Sequence, residues 1–409
     1  MNNSRKMSAN EKMLVFLCSA IYFVSYITRI NYAAIIVEFA ASTGLGEEQA
    51  SFALTGLAIF YGAGQLLSGY LGDKIKPKVL ISAGLATSAA MNFILPFSIF
   101  SVPLLTALWC VNGLAQAMMW PPIVRILTAS LSNEKYKRSA VKVSVASQLA
   151  TIIIYLGAPL CIRFAGWQPI FFAASACAAL MSVVVAIKLP DISTAKAPLP
   201  SSEKTAPSSG FRIPVILFGS IMLAIVLQGI MRDGVTNWLP SYIKSEYGVS
   251  SEIAIMLGVV PPVFAMLCYE FTSFLSRKVF KNEMICSMVL FGAAFSAAFV
   301  LSFFHNSSIA LSVALGTLIT GCMHGVNIVL ITIIPQYFSK TGRVAFISGL
   351  LNSCTYIGSA LSGYGFAAVS AKFGWNGTIS VWAIICFAAT ALCLACAPVW
   401  KKFSRNDAA

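Results

Sequence analysis

The sequence has few charged residues, and this shortage decides its broad class. Only 10% of the 409 residues are Asp, Glu, Lys or Arg, whereas 58% are hydrophobic and the mean hydropathy is +0.82. Soluble globular domains carry about 25% charged residues. A water-soluble fold cannot bury this much apolar surface while exposing so little charge, so a soluble protein is excluded.

The residues that build metal, cofactor and catalytic sites are also scarce. There are two histidines, and the eleven cysteines are scattered through apolar runs; the one CxxC spacing, Cys393-Leu-Ala-Cys396, lies inside such a run, as expected of small core residues. We find no nucleotide-binding loop and no nucleophile–base arrangement. We therefore expect no metal, no cofactor and no enzymatic activity.

Long apolar runs dominate what remains. A bilayer core about 30 Å thick is crossed by a helix of roughly 20 apolar residues. Runs of this kind occur at 13–37, 50–71, 78–97, 103–130, 142–162, 168–189, 213–235, 252–275, 284–304, 309–334, 345–369 and 377–399. The pattern predicts an all-α integral membrane protein with twelve transmembrane helices in two six-helix halves, 1–189 and 213–409. A flexible linker rich in Pro, Ser, Ala and Lys is predicted over 190–212.

The basic residues are distributed unevenly along the chain. The net charge is +14, and 23 of the 28 Lys and Arg residues lie at the termini, in alternate loops or at the adjoining ends of the apolar runs, which would share one side of a membrane. The positive-inside rule then predicts a cell (inner) membrane protein with both termini in the cytoplasm. The charge is explained by the lipid bilayer, so we expect no nucleic-acid partner; we also expect a monomer.

The two halves resemble each other in sequence. Arg29 and Arg232 are 203 residues apart, and so are Asp73 and Ser276. Further matches in the same order are Arg138 with Arg343, Tyr155 with Tyr356, and Trp167 with Trp375. This pattern indicates an internal duplication, and duplicated halves in transporters place the substrate at their interface near the membrane midplane.

Arg29 and Arg232 lie deep inside apolar runs. They are 17 and 20 residues beyond the preceding basic residues, Lys12 and Arg212, which corresponds to roughly 25 and 30 Å along a helix. Buried arginines are costly and usually mark a site, and the guanidinium fork suits phosphate and carboxylate oxygens. The alternative is internal pairing, with Asp233 for example. Because adjacent helical residues do not share a face, anion binding is favoured.

The loop after the second run contains Gly69, Gly72, Asp73 and Lys74, and it resembles the loop signature of the major facilitator superfamily. Glycines there allow helices to approach closely. Asp73 can accept hydrogen bonds from helix-end amides or pair with basic neighbours. We therefore interpret Gly69, Asp73 and Lys74 as a conformational latch; the alternative is an ordinary charged loop.

Other motifs resemble the organophosphate:phosphate antiporter family within that superfamily. They are Tyr22-x3-Tyr26-x2-Arg29-x-Asn31, Tyr61-Gly62, Met119-Trp120-Pro121-Pro122 and Arg232-Asp-Gly-Val-x-x-Trp238-x-Pro240. The resemblance implies a major facilitator fold and alternating access. It implies that Arg29 and Arg232 grip the phosphate group of a sugar phosphate or glycerol phosphate, exchanged for inorganic phosphate. It also implies that Tyr22, Tyr26, Tyr61 and Tyr356 line the cavity.

Three positions depart from that family pattern. Gln65 stands where the exchangers carry lysine, Ile30 follows the first arginine where a basic residue is frequent, and Gln148 stands where glycerol-phosphate exchangers have histidine. The predicted cavity is thus less positive, which favours a singly charged anion such as a sugar acid. Two alternatives stay open: a proton-coupled symporter of carboxylates, and a transporter-like sensor of a phosphorylated metabolite.

Trp120 and His324 occupy equivalent positions in the repeat. We place both in the substrate site. A membrane-embedded histidine can hydrogen-bond substrate, carry a proton, or serve helix packing, and the sequence does not favour one role. Glu270 is either a proton site or the partner of a cytoplasmic arginine, and the partner role is favoured.

Overall fold

A computed structural model describes residues 7–45, 47–98, 101–190, 214–249 and 257–406. These residues are helical nearly throughout and contain no strand. The first ten helices are α1 (Ala9–Thr43), α2 (Glu47–Lys74), α3 (Pro77–Ile94), α4 (Val102–Ser130), α5 (Asn133–Ala165), α6 (Gln168–Lys188), α7 (Val215–Tyr247), α8 (Val260–Lys278), α9 (Glu283–Phe304) and α10 (Ile309–Asn327). A last helical segment, Val344–Asn406, is divided at Gly374 into α11 (344–373) and α12 (375–406).

Two of the helices change geometry along their length. Helix α4 consists of Val102–Ala117 and Trp120–Ser130, with Pro121 in the first turn of the second part, where a missing amide costs no hydrogen bond. Helix α10 continues as a π-helix over Ile328–Ile333 and as a 3-10 helix over Ile334–Thr341. Both changes lie close to predicted site residues, Trp120 and His324.

The turns before α6 and α12 are built alike. Gly166 has φ 77° and ψ −176°, and Gly374 has φ 67° and ψ −173°; each is followed by a tryptophan, Trp167 or Trp375. Side chains are strongly disfavoured at such positive φ values, so glycine is required. Equal backbone geometry at equivalent sequence positions agrees with the internal repeat.

Eleven helical stretches among the described residues are long and apolar enough to cross a membrane. The remaining helix, α8, contains Glu270, Arg277 and Lys278, and the beginning of the corresponding apolar run, 252–256, lies outside the described residues. The prediction of an all-α, multi-pass membrane fold is confirmed.

Contacts divide the chain into two compact units. Unit 1 comprises Met1–Ile192 and Val344–Tyr356, and unit 2 comprises Ser193–Arg343 and Ile357–Ala409. The beginning of α11 therefore packs with the first unit. The sequence halves 1–189 and 213–409 stay a prediction about the repeat, and the predicted linker lies almost entirely outside the described residues.

Helix α1 contributes to two separate apolar clusters of unit 1. Its residues up to Val24 pack in one cluster, and those from Tyr32 onward pack in the other. Between them lie the buried polar residues Ser25, Thr28 and Asn31. Arg29 is thus located in a polar layer between two apolar cores.

Candidate functional site

A buried hydrogen-bond network surrounds Thr28 in unit 1. The Thr28 carbonyl accepts from Asn92 Nδ2 at 3.1 Å and Asn112 Nδ2 at 3.0 Å, and its hydroxyl accepts from Gln116 Nε2 at 2.7 Å. Asn31 donates to Asn92 Oδ1 at 2.7 Å. Because each net hydrogen bond contributes about 1 kcal/mol, the network fixes this stretch of α1 against α3 and α4.

This network positions Arg29, which lies between Thr28 and Asn31 in sequence. Sequence reasoning used Asn31 only as part of a motif and missed the other members. The available signal was the presence of Asn92, Asn112 and Gln116 inside otherwise apolar runs, where unpaired amides are costly.

The Arg29 guanidinium is surrounded by tyrosines. Its Cζ lies 4.1 Å from the ring centroid of Tyr26 and 4.8 Å from that of Tyr61, and Nη1 lies 3.5 Å from the Tyr356 hydroxyl. Cation–π contacts are worth about 0.5–2 kcal/mol, increasing with desolvation. Among the side chains that the structure describes, no carboxylate forms an ion pair with Arg29, so its charge is balanced by ring faces and hydroxyl dipoles alone.

The surrounding rings contact one another. The centroids of Tyr61 and Tyr356 are 4.5 Å apart, those of Tyr22 and Tyr26 are 5.0 Å apart, and Tyr22 lies 5.1 Å from Trp120. Unit 1 therefore gathers one predicted arginine and five predicted aromatic residues in a single cluster. Its charge, hydroxyl groups and aromatic surfaces suit an oxyanion attached to a small organic body.

Gln65 and Gln148 are buried on α2 and α5. Gln65 Nε2 is 3.5 Å from the carbonyl of Ala117, while its Oε1 is buried without a hydrogen-bond partner among the described residues. The backbone carbonyl of Gln65 abuts Gly349 of α11. Gln65 thus belongs to the packing of α2 against α11, one turn from Tyr61.

In unit 2, Arg232 pairs with the residue that follows it. Its Nε is 2.6 Å from Asp233 Oδ1 and its Nη2 is 2.9 Å from Oδ2. The sequence argument disfavoured this pairing because adjacent helical residues do not share a face, and that expectation is wrong here. The Cα–Cβ directions do diverge along a helix, but the long arginine side chain folds back to reach the short Asp233 carboxylate.

His324 of α10 lies near this ion pair. It interacts electrostatically with Arg232 and Asp233, and its Nδ1 is 2.9 Å from the hydroxyl of Tyr269 on α8. The hydroxyl of Ser359 on α11 donates to the Asp233 carboxylate. Sequence reasoning missed Tyr269 and Ser359, because neither stands out among the other hydroxyl residues of the apolar runs.

Glu270 is exposed on α8 and forms no ion pair with a described side chain. Arg277, the arginine nearest to it in sequence, donates to the Ser273 carbonyl at 2.8 Å. The expected partnership of Glu270 with such an arginine is not found among these residues.

No group of three or more His, Cys, Asp or Glu side chains in the described part of the chain is arranged to hold a metal.

Asp73 caps the beginning of α11. Its Oδ1 accepts from the amide of Ala345 at 3.0 Å and its Oδ2 from that of Phe346 at 2.9 Å. Gly69 makes this approach possible, since a Cβ there would lie 2.8 Å from the Ala345 carbonyl oxygen. Lys74 instead donates to the hydroxyl of Tyr70. The carboxylate joins the end of α2 to amides that have no partner within their own helix.

Comparison with known proteins gives consistent results. Residues 18–363 match the Major Facilitator Superfamily. The chain is 24% identical over 393 residues to the glycerol-3-phosphate transporter of Bacillus subtilis, covering 86% of this chain and 84% of the relative. It is 23% identical over 391 residues to a probable hexose phosphate transport protein of Chlamydia muridarum, covering 87% and 84%. The predicted resemblance to organophosphate transporters is confirmed.

A solved structure shows the same fold. The E. coli fucose:proton symporter FucP superposes with a TM-score of 0.73 over 95% of this chain and 99% of FucP, at 13% sequence identity. At this identity the similarity concerns the fold alone.

Proposed function

The chain belongs to the Major Facilitator Superfamily, and on this basis we propose that it transports a small organic phosphate by alternating access. It is a multi-pass membrane transporter and not an enzyme. The observation that carries the proposal is the Arg29 cluster, a guanidinium enclosed by tyrosines without a carboxylate partner among the described side chains. The named substrates of the relatives, glycerol 3-phosphate and hexose phosphate, support the phosphate ester.

In this proposal, Arg29 and Arg232 bind the anionic group of the substrate through bidentate hydrogen bonds. Hydroxyl groups of Tyr22, Tyr26, Tyr61 and Tyr356 bind its oxygens, while ring faces contact its carbon atoms. Trp120, Gln65, Gln148 and His324 complete the set of substrate-binding residues.

Exchange with inorganic phosphate follows from the electrostatics of Arg29. An unpaired guanidinium is costly in a low-dielectric interior. Closure of the site is therefore favourable only with an anion bound. After the transporter has released one anion, it must bind another before it can return to its first conformation. The contact of Asp73 with the start of α11 is proposed to stabilise one of the alternating conformations.

The basic loops support a cell (inner) membrane location with both termini in the cytoplasm. A probe on Ser202, in the predicted linker, should then be inaccessible to an impermeant reagent in intact cells. Labelling of Ser202→Cys from outside, in a cysteine-free background, would contradict this orientation.

A proton-coupled transporter of singly charged carboxylates is the second candidate. It is favoured by the Arg232–Asp233 pair, because the carboxylate neutralises one of the two arginines. The departures at Gln65 and Gln148 reduce the positive charge of the site in the same direction.

Counterflow in proteoliposomes tests the proposed function. Vesicles loaded with unlabelled glycerol 3-phosphate, inorganic phosphate or gluconate are given the labelled form of each anion outside. We expect transient accumulation of glycerol 3-phosphate and its exchange for phosphate. Counterflow of gluconate alone would establish the second candidate, and counterflow of none of the three would refute both.

A further inference from the structure

Asp233 occupies the guanidinium of Arg232, the group that the proposed function assigns to the substrate anion. Two parallel bonds, from Nε to Oδ1 at 2.6 Å and from Nη2 to Oδ2 at 2.9 Å, use one edge of the guanidinium fork. A substrate carboxylate or phosphate makes the same bidentate arrangement. Asp233 therefore mimics the substrate and competes with it for that edge of Arg232.

Two neighbouring helices contribute polar groups that interact with the pair. Ser359 of α11 donates to Asp233, and His324 of α10 interacts electrostatically with both members of the pair. The hydroxyl of Tyr269 on α8 is hydrogen-bonded to Nδ1 of His324 at 2.9 Å. The side chain of Arg232 is 13% exposed and that of Asp233 is 23% exposed, so neither is fully enclosed by the protein.

Substrate binding to this edge creates an electrostatic conflict. A second anion beside the Asp233 carboxylate is disfavoured by like-charge repulsion, and a displaced carboxylate without Arg232 is an uncompensated charge in a low-dielectric region. A proton taken from the aqueous solution, where a hydronium ion or a buffer acid gives it up, removes both costs. An O–H bond forms on a carboxylate oxygen of Asp233, while Arg232 keeps its N–H bonds and donates its two hydrogen bonds to the substrate oxygens. The proton offsets one negative charge of the substrate.

We propose that Asp233 is a proton-binding site that makes Arg232 available to the substrate, so that each anion is carried together with one proton. This inference rests on the proposed function and names its coupling ion. During exchange, one proton therefore accompanies the anion in each direction. Ionisable side chains inside membrane spans commonly serve as such proton sites.

Proton uptake on binding tests the inference. The purified full-length protein is titrated with glycerol 3-phosphate at pH 7 by calorimetry, in buffers that differ in ionisation enthalpy. Wild type should take up about one proton more per bound anion than Asp233→Asn, because the amide cannot ionise. The matched control is Glu270→Gln, which removes an exposed carboxylate of the same unit and should take up as many protons as wild type.

Equal proton uptake by wild type and Asp233→Asn would overturn the inference, and so would a loss confined to Glu270→Gln. If Asp233→Asn does not fold, the infrared difference spectrum of wild type decides. Addition of glycerol 3-phosphate should then produce a band of a protonated carboxyl group, and the absence of that band contradicts the inference. If the protein binds the anion without these proton signals, only the role of Asp233 as a proton site is refuted. If it binds none of the tested anions, the proposed function is refuted as well.

Discussion

Replacing Asp73 by asparagine should loosen the beginning of α11. The carboxylate accepts one hydrogen bond from each of the amides of Ala345 and Phe346, at 3.0 and 2.9 Å. Hydrogen bonds to charged groups are worth about 1.5–3 kcal/mol each, and a negative charge at a helix N-terminus adds about 0.3–1 kcal/mol. The asparagine side chain would keep one uncharged acceptor, so the expected loss is about 2 kcal/mol.

Hydrogen–deuterium exchange measures this loss directly. A loss of about 2 kcal/mol in the opening free energy corresponds to roughly 30-fold faster exchange of the two amides. We expect this acceleration in a peptide covering the start of α11, with unchanged exchange in α9. Lys74→Gln is the matched control, since Lys74 contacts Tyr70 and not these amides.

Unchanged exchange in Asp73→Asn would refute the capping interpretation of the loop. Equal acceleration in Lys74→Gln would show that loss of a charge anywhere in this loop has the same effect. A uniform increase across all helices would indicate global destabilisation instead of a lost cap.

Three further substitutions test the packing and the charge of the site. Asn112→Leu removes the hydrogen bond to the Thr28 carbonyl and should lower the thermal unfolding midpoint and weaken anion binding several-fold; unchanged binding would show that the network does not position Arg29. Gly349→Ala should destabilise the protein by about 1–3 kcal/mol, because its Cβ meets the Gln65 carbonyl, whereas Gly363→Ala has open space and should be tolerated. Gln65→Lys should shift preference in uptake competition towards phosphate esters and away from sugar acids, with Gln65→Met as the uncharged control; an unchanged rank order would contradict the idea that Gln65 sets substrate charge.

Much of the fold was predictable because membrane-spanning helices must be apolar over a fixed length. The orientation inferred from the basic loops and the two halves inferred from the duplicated motifs stay predictions. The changes of helix geometry within α4 and α10 were harder to predict from the sequence. The break in α4 coincides with Pro121 and Pro122, whereas the π-helix at Ile328–Ile333 has no comparable signal in its sequence, since it depends on how surrounding helices pack.

The site was predictable in its residue types and less so in its pairings. Arg29 and its tyrosines came from one motif and from a family resemblance, and the structure places them together in unit 1. The pairing of Arg232 with Asp233 was considered as an alternative and disfavoured, because a rule about average helix faces does not describe a side chain as long as arginine. The Thr28 network was missed because its members come from three helices and meet only after these pack.

The binding affinity of Arg29→Lys for glycerol 3-phosphate tests the central claim most directly. Lysine keeps the positive charge but loses the bidentate fork and the planar contact with the rings of Tyr26 and Tyr61. The expected loss of binding free energy is about 1.5–3 kcal/mol, so calorimetric titration should show an affinity lower by about tenfold to a hundredfold. The control Arg163→Lys, at an exposed position, should bind with the affinity of wild type. Affinity of Arg29→Lys within twofold of wild type would contradict the claim that Arg29 binds the substrate anion.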